Sequence, residues 1–164
     1  MNLIAEEIQE ADKYIKRNFT GNNLGIPSEV DKVLKWLPAV IFFLTKTKNS
    51  TANKIKIFLV ADTIRNCLIR PVKKLTKRRR PDSIFKHNSF PSSHTATSFM
   101  GAEIIRSEIN QFTAVSTFTY TIATSTALLR VYKRKHWASD VVAGALIGIV
   151  SAKLAHAIVK KIKQ

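Results

Sequence analysis

The chain has a single cysteine, Cys67, in 164 residues. That excludes an intrachain disulfide framework and a zinc module built on several thiolates. Five glycines and five prolines are too few for a collagen-like or low-complexity chain. Acidic residues are scarce: 11 Asp+Glu stand against 27 Lys+Arg, a net charge of +16. The first ten residues contain Glu6, Glu7 and Glu10 but no base, whereas a secretory signal opens with positive charge before an apolar run. A soluble exported protein is therefore not expected. The chain is either cytoplasmic or inserted in a membrane by internal segments. What is present is a 45% hydrophobic fraction, too high for a disordered chain despite the charge. The length suits one domain, and the charge leaves nucleic acid, an anionic membrane surface or a phosphorylated substrate as partners.

No sheet-like alternation or internal repeat stands out, and the pattern is helical. Ile4, Ile8, Ala11, Ile15 and Phe19 share one helical face, predicting an amphipathic first helix that lies on a bilayer or packs on a soluble core. Residues 21–28, rich in Gly and Asn, read as a linker, with Ser28 as a helix cap. Residues 36–45 are uncharged but too few to span a bilayer, and residues 57–72 are apolar apart from Asp62, Arg65 and Arg70. The best spanning candidate is Phe112–Leu129, eighteen uncharged residues of which eight are Ser or Thr. Residues 141–152 follow, with Gly144 and Gly148 at a spacing suited to close helix contact. Loops are expected near 46–55, 73–91 and 131–136. The expected units are an N-terminal helix and linker, 1–32, and a helical core, 33–164.

Three stretches set basic or imidazole side chains beside apolar helices. They are Lys73 to Pro81, Pro91 to Thr97, and Arg130 to Asp140. Ser92 or Ser93 can cap a helix, whose first N–H groups and dipole attract an anion. His94 would stand on that first turn. His136 and Asp140 are i and i+4 on one helical face, where a carboxylate can orient an imidazole. Lys73, Arg80 and Arg130 can surround phosphate oxygens. Phosphoryl transfer chiefly needs such positioning and charge neutralisation, with one histidine attacking phosphorus and another protonating the leaving oxygen. These are the parts of a metal-free phosphatase.

Lys-x6-Arg-Pro, Pro-Ser-x-His and Arg-x5-His-x3-Asp, in this order over residues 73–140, resemble the type-2 phosphatidic acid phosphatase superfamily, which also includes bacterial acid phosphatases and vanadium haloperoxidases. The resemblance implies an all-α, membrane-embedded bundle of five to six helices preceded by the amphipathic helix. It implies His136 as the nucleophile forming a phosphohistidine, Asp140 as its orienting partner and His94 as the acid for the leaving group. Lys73, Arg80, Ser92 and Arg130 would bind phosphate, together with the backbone N–H of Ser93. No metal or other cofactor is implied. The partners would be a phosphorylated lipid and the bilayer, not nucleic acid. The family usually has Gly where this chain has Ser93, and Ser where it has Leu129.

Two other readings stay open. One keeps the pocket in a soluble acid phosphatase or a vanadate-dependent enzyme. The other is a basic nucleic-acid-binding helical protein, which leaves the His/Asp spacing unexplained. Lys77, Arg78 and Arg79, like Lys133, Arg134 and Lys135, are expected as solvated loop or as lures for anionic headgroups. His87 is expected in a loop, His156 in packing, Cys67 in the core, and Asp82 beside an arginine. Trp36 and Trp137 suit membrane interfaces or the core. Lys46, Lys48, Lys54, Lys56, Arg106, Lys160, Lys161 and Lys163 would gather on the face away from the motifs. The motif face is equally basic, but with its site charges set aside the asymmetry favours a cytoplasmic non-catalytic face and an active site on the outer, periplasmic side; the expected setting is a bacterial inner membrane, multi-pass.

Overall fold

The computed structural model describes residues 3–19, 25–83, 85–109 and 113–162. Six helices form among them: α1 (Leu3–Phe19), α2 (Ser28–Leu44), α3 (Thr51–Thr76), α4 (Ser93–Ile109), α5 (Ala114–Tyr132) and α6 (Ala138–Ile162). No strand occurs among the described residues, only an isolated bridge between Arg80 and Ser83. The all-helical expectation holds. Residues 21–24 of the expected linker, Phe112 and Lys163 lie outside the described residues.

The helices run further than the charge pattern indicated. α3 starts at Thr51 because Ser50 caps it, accepting from Asn53 N, so the loop expected at 46–55 shrinks to 45–50. It continues through Lys73 until Lys77 adopts a left-handed conformation (φ 43°) and closes on Lys73 O. Pro27, not Ser28, occupies the cap position of α2. The far end of α2 is closed by Lys54, which is buried and donates to the carbonyls of Phe42, Phe43 and Thr45. Lys54 therefore adds no charge to the surface away from the motifs, where the sequence had set it.

α4 is the central helix, packed by α6, α2, α5 and α3. Glycines set its closest crossings. A Cβ on Gly148 would fall 2.3 Å from Ala96 O, and one on Gly144 would fall 2.5 Å from Ser92 O. On α2, a Cβ at Gly101 of α4 would meet Ala39 N at 2.8 Å. The expected close contact of the Gly144/Gly148 pair is thus realised against α4.

α6 is built inside out relative to a water-soluble helix. Gly144, Gly148, Ser151, Ala152 and Ala155 face inward, while Val142, Leu146, Val150, Leu154 and Ile158 form an exposed stripe at i, i+4 spacing. Small residues bring backbones together and large aliphatic ones face outward, the arrangement suited to lipid. α6 is also the one described helix long and apolar enough to span a membrane, with mean hydropathy 1.9. The sequence reading had favoured α5 for that role. Its hydroxyls lower its hydropathy, yet several are spent inward: Thr119 and Thr126 donate to carbonyls of their own helix, and Thr126 Oγ1 lies 3.2 Å from Ser98 Oγ of α4.

One further expectation fails, for Cys67, and for α1 the two alternatives are narrowed towards the outward-facing one. Cys67 is exposed on the outer side of α3, where Leu59 and Leu68 also face outward. On α1 the apolar residues Leu3, Ile4, Ile8 and Phe19 are exposed, while Asp12 is buried. Only the far end of the apolar stripe meets the bundle, where Ile15 packs on the cluster of Ala127, Val131 and Val141 and the Phe19 ring meets Tyr132; the rest faces outward.

Candidate active site

The three motifs meet at one end of the bundle. The turn between α5 and α6 is short and closed: the N–H groups of Lys135 and His136 both bond Arg130 O, at 3.0 and 3.2 Å. Arg134 occupies the left-handed region there (φ 54°). This turn brings His136 back over the end of α5, nearly fully buried. Its Nδ1 lies 3.4 Å from Asp140 Oδ2 in the first turn of α6. With Nδ1 turned towards the carboxylate, Nε2 is the nitrogen left for a substrate. Burial holds the His136 imidazole down to about 4, helped by Arg130 and Arg80 and opposed by the Asp140 carboxylate. At physiological pH the ring is therefore neutral, with one nitrogen lone pair available.

Asp140 is completely buried and every side of its carboxylate is engaged. Oδ1 accepts from Arg78 Nη1 at 2.7 Å; Oδ2 accepts from Trp137 N at 2.9 Å and from the Ser89 hydroxyl. Its backbone carbonyl accepts from Ser92 N at 2.9 Å, tying the second motif to the third. Ser92 is fully buried, and its Oγ faces Thr95 N (3.5 Å) and Thr95 Oγ1 (3.0 Å) as the cap of α4. Ser93 follows as the first residue of α4, half-buried, its carbonyl accepting from Thr97 Oγ1.

His94 lies half-buried on the first turn of α4, within electrostatic reach of Arg130, Lys35, His136 and Arg80. Lys73 and Arg80 converge on one residue: Lys73 Nζ donates to Asn88 O at 2.7 Å, and Arg80 Nε to Asn88 Oδ1 at 2.9 Å. Arg130 is buried and donates to Asp31 Oδ2 at 2.8 Å, while its Nε has no partner among the described residues. Lys73, Arg80, His94, Arg130, His136 and Asp140 thus gather in one polar site, and Ser92 supports it from within the helix cap. A family model of the PAP2 superfamily matches residues 54–164.

The chain belongs to the PAP2 superfamily.

Among its relatives, the lipid A 1-phosphatase of Porphyromonas gingivalis is 40% identical over 80 residues. That match covers 48% of this chain and 18% of the relative, so the chain spans under a fifth of the relative's length. The crystal structure of Aquifex aeolicus LpxE is similar with a TM-score of 0.65 at 20% identity, over 91% of this chain and 94% of that one. A transmembrane PAP2-type phosphatidylglycerolphosphate phosphatase from Bacillus subtilis gives a TM-score of 0.66 at 20% identity, over 96% and 89% of the two chains. The fold is that of a membrane-embedded PAP2 helix bundle.

Against the PAP2 pattern, the basic run of the first motif needs correction. Arg78 is not solvated loop: it bonds Asp140, Ser139 and Asp12, and its guanidinium lies 5.5 Å from the centre of the Trp137 ring. Nor is Lys133 free in solvent, since it donates to Pro27 O and to Asp31. Lys135 pairs with Asp82 at 2.6 Å, in place of the arginine expected there. Asp31, Lys35, Ser89 and Asn88 join the site without any signal in the motifs. Asp31 and Lys35 lie four residues apart on α2, Asp31 against Arg130 of α5 and Lys35 within electrostatic reach of Asp62 and Arg65 of α3 as well as Arg130. His87 is exposed in the loop, 3.1 Å from Arg79 Nε, and His156 lies 3.5 Å from Glu108 at the opposite end, as outlying roles for both implied.

Proposed function

We propose that the chain is an integral membrane phosphatase that removes phosphate from a lipid through a phosphohistidine intermediate, using side chains alone. The observation that carries this reading is the meeting of His136, Asp140 and His94 with Lys73, Arg80 and Arg130 at one end of a bundle whose outward face is aliphatic.

In this mechanism Nε2 of neutral His136 attacks phosphorus, and Asp140 stabilises the positive charge that develops on the ring. His94, which takes up a proton from solvent as the negative phosphate enters and offsets the neighbouring cations, donates it to the departing lipid oxygen. It then takes one from the water that attacks the phosphohistidine and releases inorganic phosphate. Lys73, Arg80, Arg130 and the first N–H groups of α4, including that of Ser93, balance charge on the equatorial oxygens. The buried Nε of Arg130, without a partner among the described residues, supports its role as a donor to phosphate. Ser93 in place of glycine narrows the backbone approach to that oxygen.

Lipid A 1-phosphate is the first substrate to assay, because the relative sharing 40% identity over 80 residues carries that name. Phosphatidic acid, phosphatidylglycerophosphate and a polyprenyl pyrophosphate complete the panel. Several helices cross the bacterial inner membrane in this reading, and the active site faces the periplasm. Lys46, Lys48, Lys56, Lys160 and Lys161 then lie on the cytoplasmic side, in keeping with the positive-inside rule.

The test is phosphate release from this panel by purified protein in detergent. Wild type releases phosphate with or without EDTA, and His136→Ala does not. Full activity in His136→Ala, or activity restored only by a divalent metal, overturns the mechanism.

A further inference from the structure

Asp12 is the one buried residue of α1 among those described, in a helix whose Ile4 is 64% and Ile8 46% exposed. A carboxylate leaves water only where donors replace its hydration. Asp12 has three: Ser139 N on Oδ1 at 3.0 Å, and Ser139 Oγ and Arg78 Nη2 on Oδ2, each at 2.6 Å. Arg78 turns its other nitrogen, Nη1, to Asp140 Oδ1 at 2.7 Å and to Ser139 Oγ at 2.6 Å. One guanidinium therefore joins a carboxylate of the first helix to the carboxylate beside His136. A small cavity lined by Asp12, Lys16, Trp137 and His136 separates α1 from the imidazole.

We infer that Asp12 and Arg78 are positioning residues for the Asp140–His136 pair, so that α1 is a working part of the active site. The inference rests on the phosphatase reading above. Asp12 fixes the plane of Arg78, which occupies Oδ1 of Asp140. Oδ2 is then left to the Trp137 N–H, the Ser89 hydroxyl and His136. By bonding Ser139 N, Asp12 also holds the first turn of α6, from which Asp140 projects. Neither residue reaches the substrate, and both act through Asp140.

The arrangement also sets a charge relay whose two ends act oppositely on His136. The charged and titratable groups around that ring are Asp140 of α6, Arg130 of α5, His94 of α4, Arg80 of the loop, and Asp12 and Lys16 of α1, with Lys73 of α3 bearing on Asp140. Removing Asp12 leaves the Arg78 cation less compensated, which disfavours protonated His136. Removing Arg78 frees the Asp140 carboxylate to favour it.

The experiment compares full-length wild type with Asp12→Asn, Asp12→Glu, Arg78→Gln and Ser139→Ala, on the panel lipid that wild type hydrolyses. Asp12→Asn is expected to lower kcat by on the order of 10- to 100-fold with KM unchanged, and Asp12→Glu to recover part of it. The acid limb of the kcat/KM profile moves to lower pH in Asp12→Asn and to higher pH in Arg78→Gln. Ser139→Ala keeps the backbone bond to Asp12 and gives a smaller kcat loss, which serves if Asp12→Asn fails to fold. Wild-type kcat in Asp12→Asn or in Ser139→Ala overturns the inference, as does a loss that tracks Tm with the acid limb unmoved. If wild type itself releases phosphate from no lipid, the phosphatase reading fails. The His136 imidazole resonances then decide: a shift in Asp12→Asn upholds the positioning link, and identical spectra overturn it.

Discussion

Arg130 Nη1 donates to Asp31 Oδ2 at 2.8 Å, and both side chains are at least nine-tenths buried. The cation proposed to meet phosphate is therefore held by a carboxylate from α2, joined by Lys133 at 3.2 Å. Breaking a buried pair leaves a charge without a partner, at a cost of roughly 3–5 kcal/mol. Asp31→Ala is expected to lose about that much stability, read as a fall in Tm in detergent. Arg130→Lys keeps the charge but not the fork, so its main effect falls on KM for the lipid phosphate. A Tm unchanged in Asp31→Ala contradicts the structural weight given to this pair.

The pH profile follows from His136. An ordinary imidazole gains its proton near pH 6.5, but burial holds this one down to about 4. The neutral ring, the form proposed to attack phosphorus, therefore persists as pH falls through 6.5 and is lost only near 4. A plot of kcat/KM against pH is expected to show its acid limb near 4. A limb at 6.5 would mean that the ring is solvated in the working enzyme.

Gly148 tests the helix crossing. Its added Cβ would meet Ala96 O at 2.3 Å and Met100 N at 2.9 Å, both backbone atoms of α4 that cannot swing aside. Gly148→Ala must push α6 from α4, at about 1–3 kcal/mol for overpacking. Because α4 carries His94 and α6 carries Asp140, activity is expected to fall along with Tm. Leu146→Val, on the exposed stripe, is the control and is expected to change neither.

Asn88 receives both Lys73 and Arg80 through its backbone and side-chain oxygens. Asn88→Ala removes only the Arg80 bond. The expected result is a raised KM with kcat nearly kept, measured on the same lipid, since a binding contact common to ground and transition states is weakened. An equal fall in kcat would assign Asn88 to the chemical step instead.

Much of this was legible in the sequence because spacing along a helix converts directly into geometry. Asp140, Gly144 and Gly148 share one face of α6 towards α4, whereas His136 stands in the turn before α6 and reaches Asp140 through that closed turn, not through the helical face expected for it. The supporting contacts were not legible, because they join segments far apart in the chain. Asp12 meets Arg78 across 66 residues and Asp31 meets Arg130 across 99. Such pairs have no local period, so Arg78 read as one more base in a charged run. The apolar stripe of α1 left two placements open for a different reason: periodicity finds a face, but lipid and protein core leave the same pattern. Cys67 went astray, since an outward position suits a small apolar residue when the surroundings are hydrocarbon.

The closed turn after α5 has a consequence for variation within the chain. Because Lys135 N and His136 N both fasten to Arg130 O, the interval from arginine to nucleophilic histidine behaves as a caliper. Its jaw width depends on residue number and on one left-handed step at Arg134. The reach between Arg130 and the imidazole proposed to attack phosphorus is therefore stored in backbone length. One inserted residue would open the caliper even with every functional group retained, and it would also displace Val131 from the core and Lys133 and Lys135 from Asp31 and Asp82.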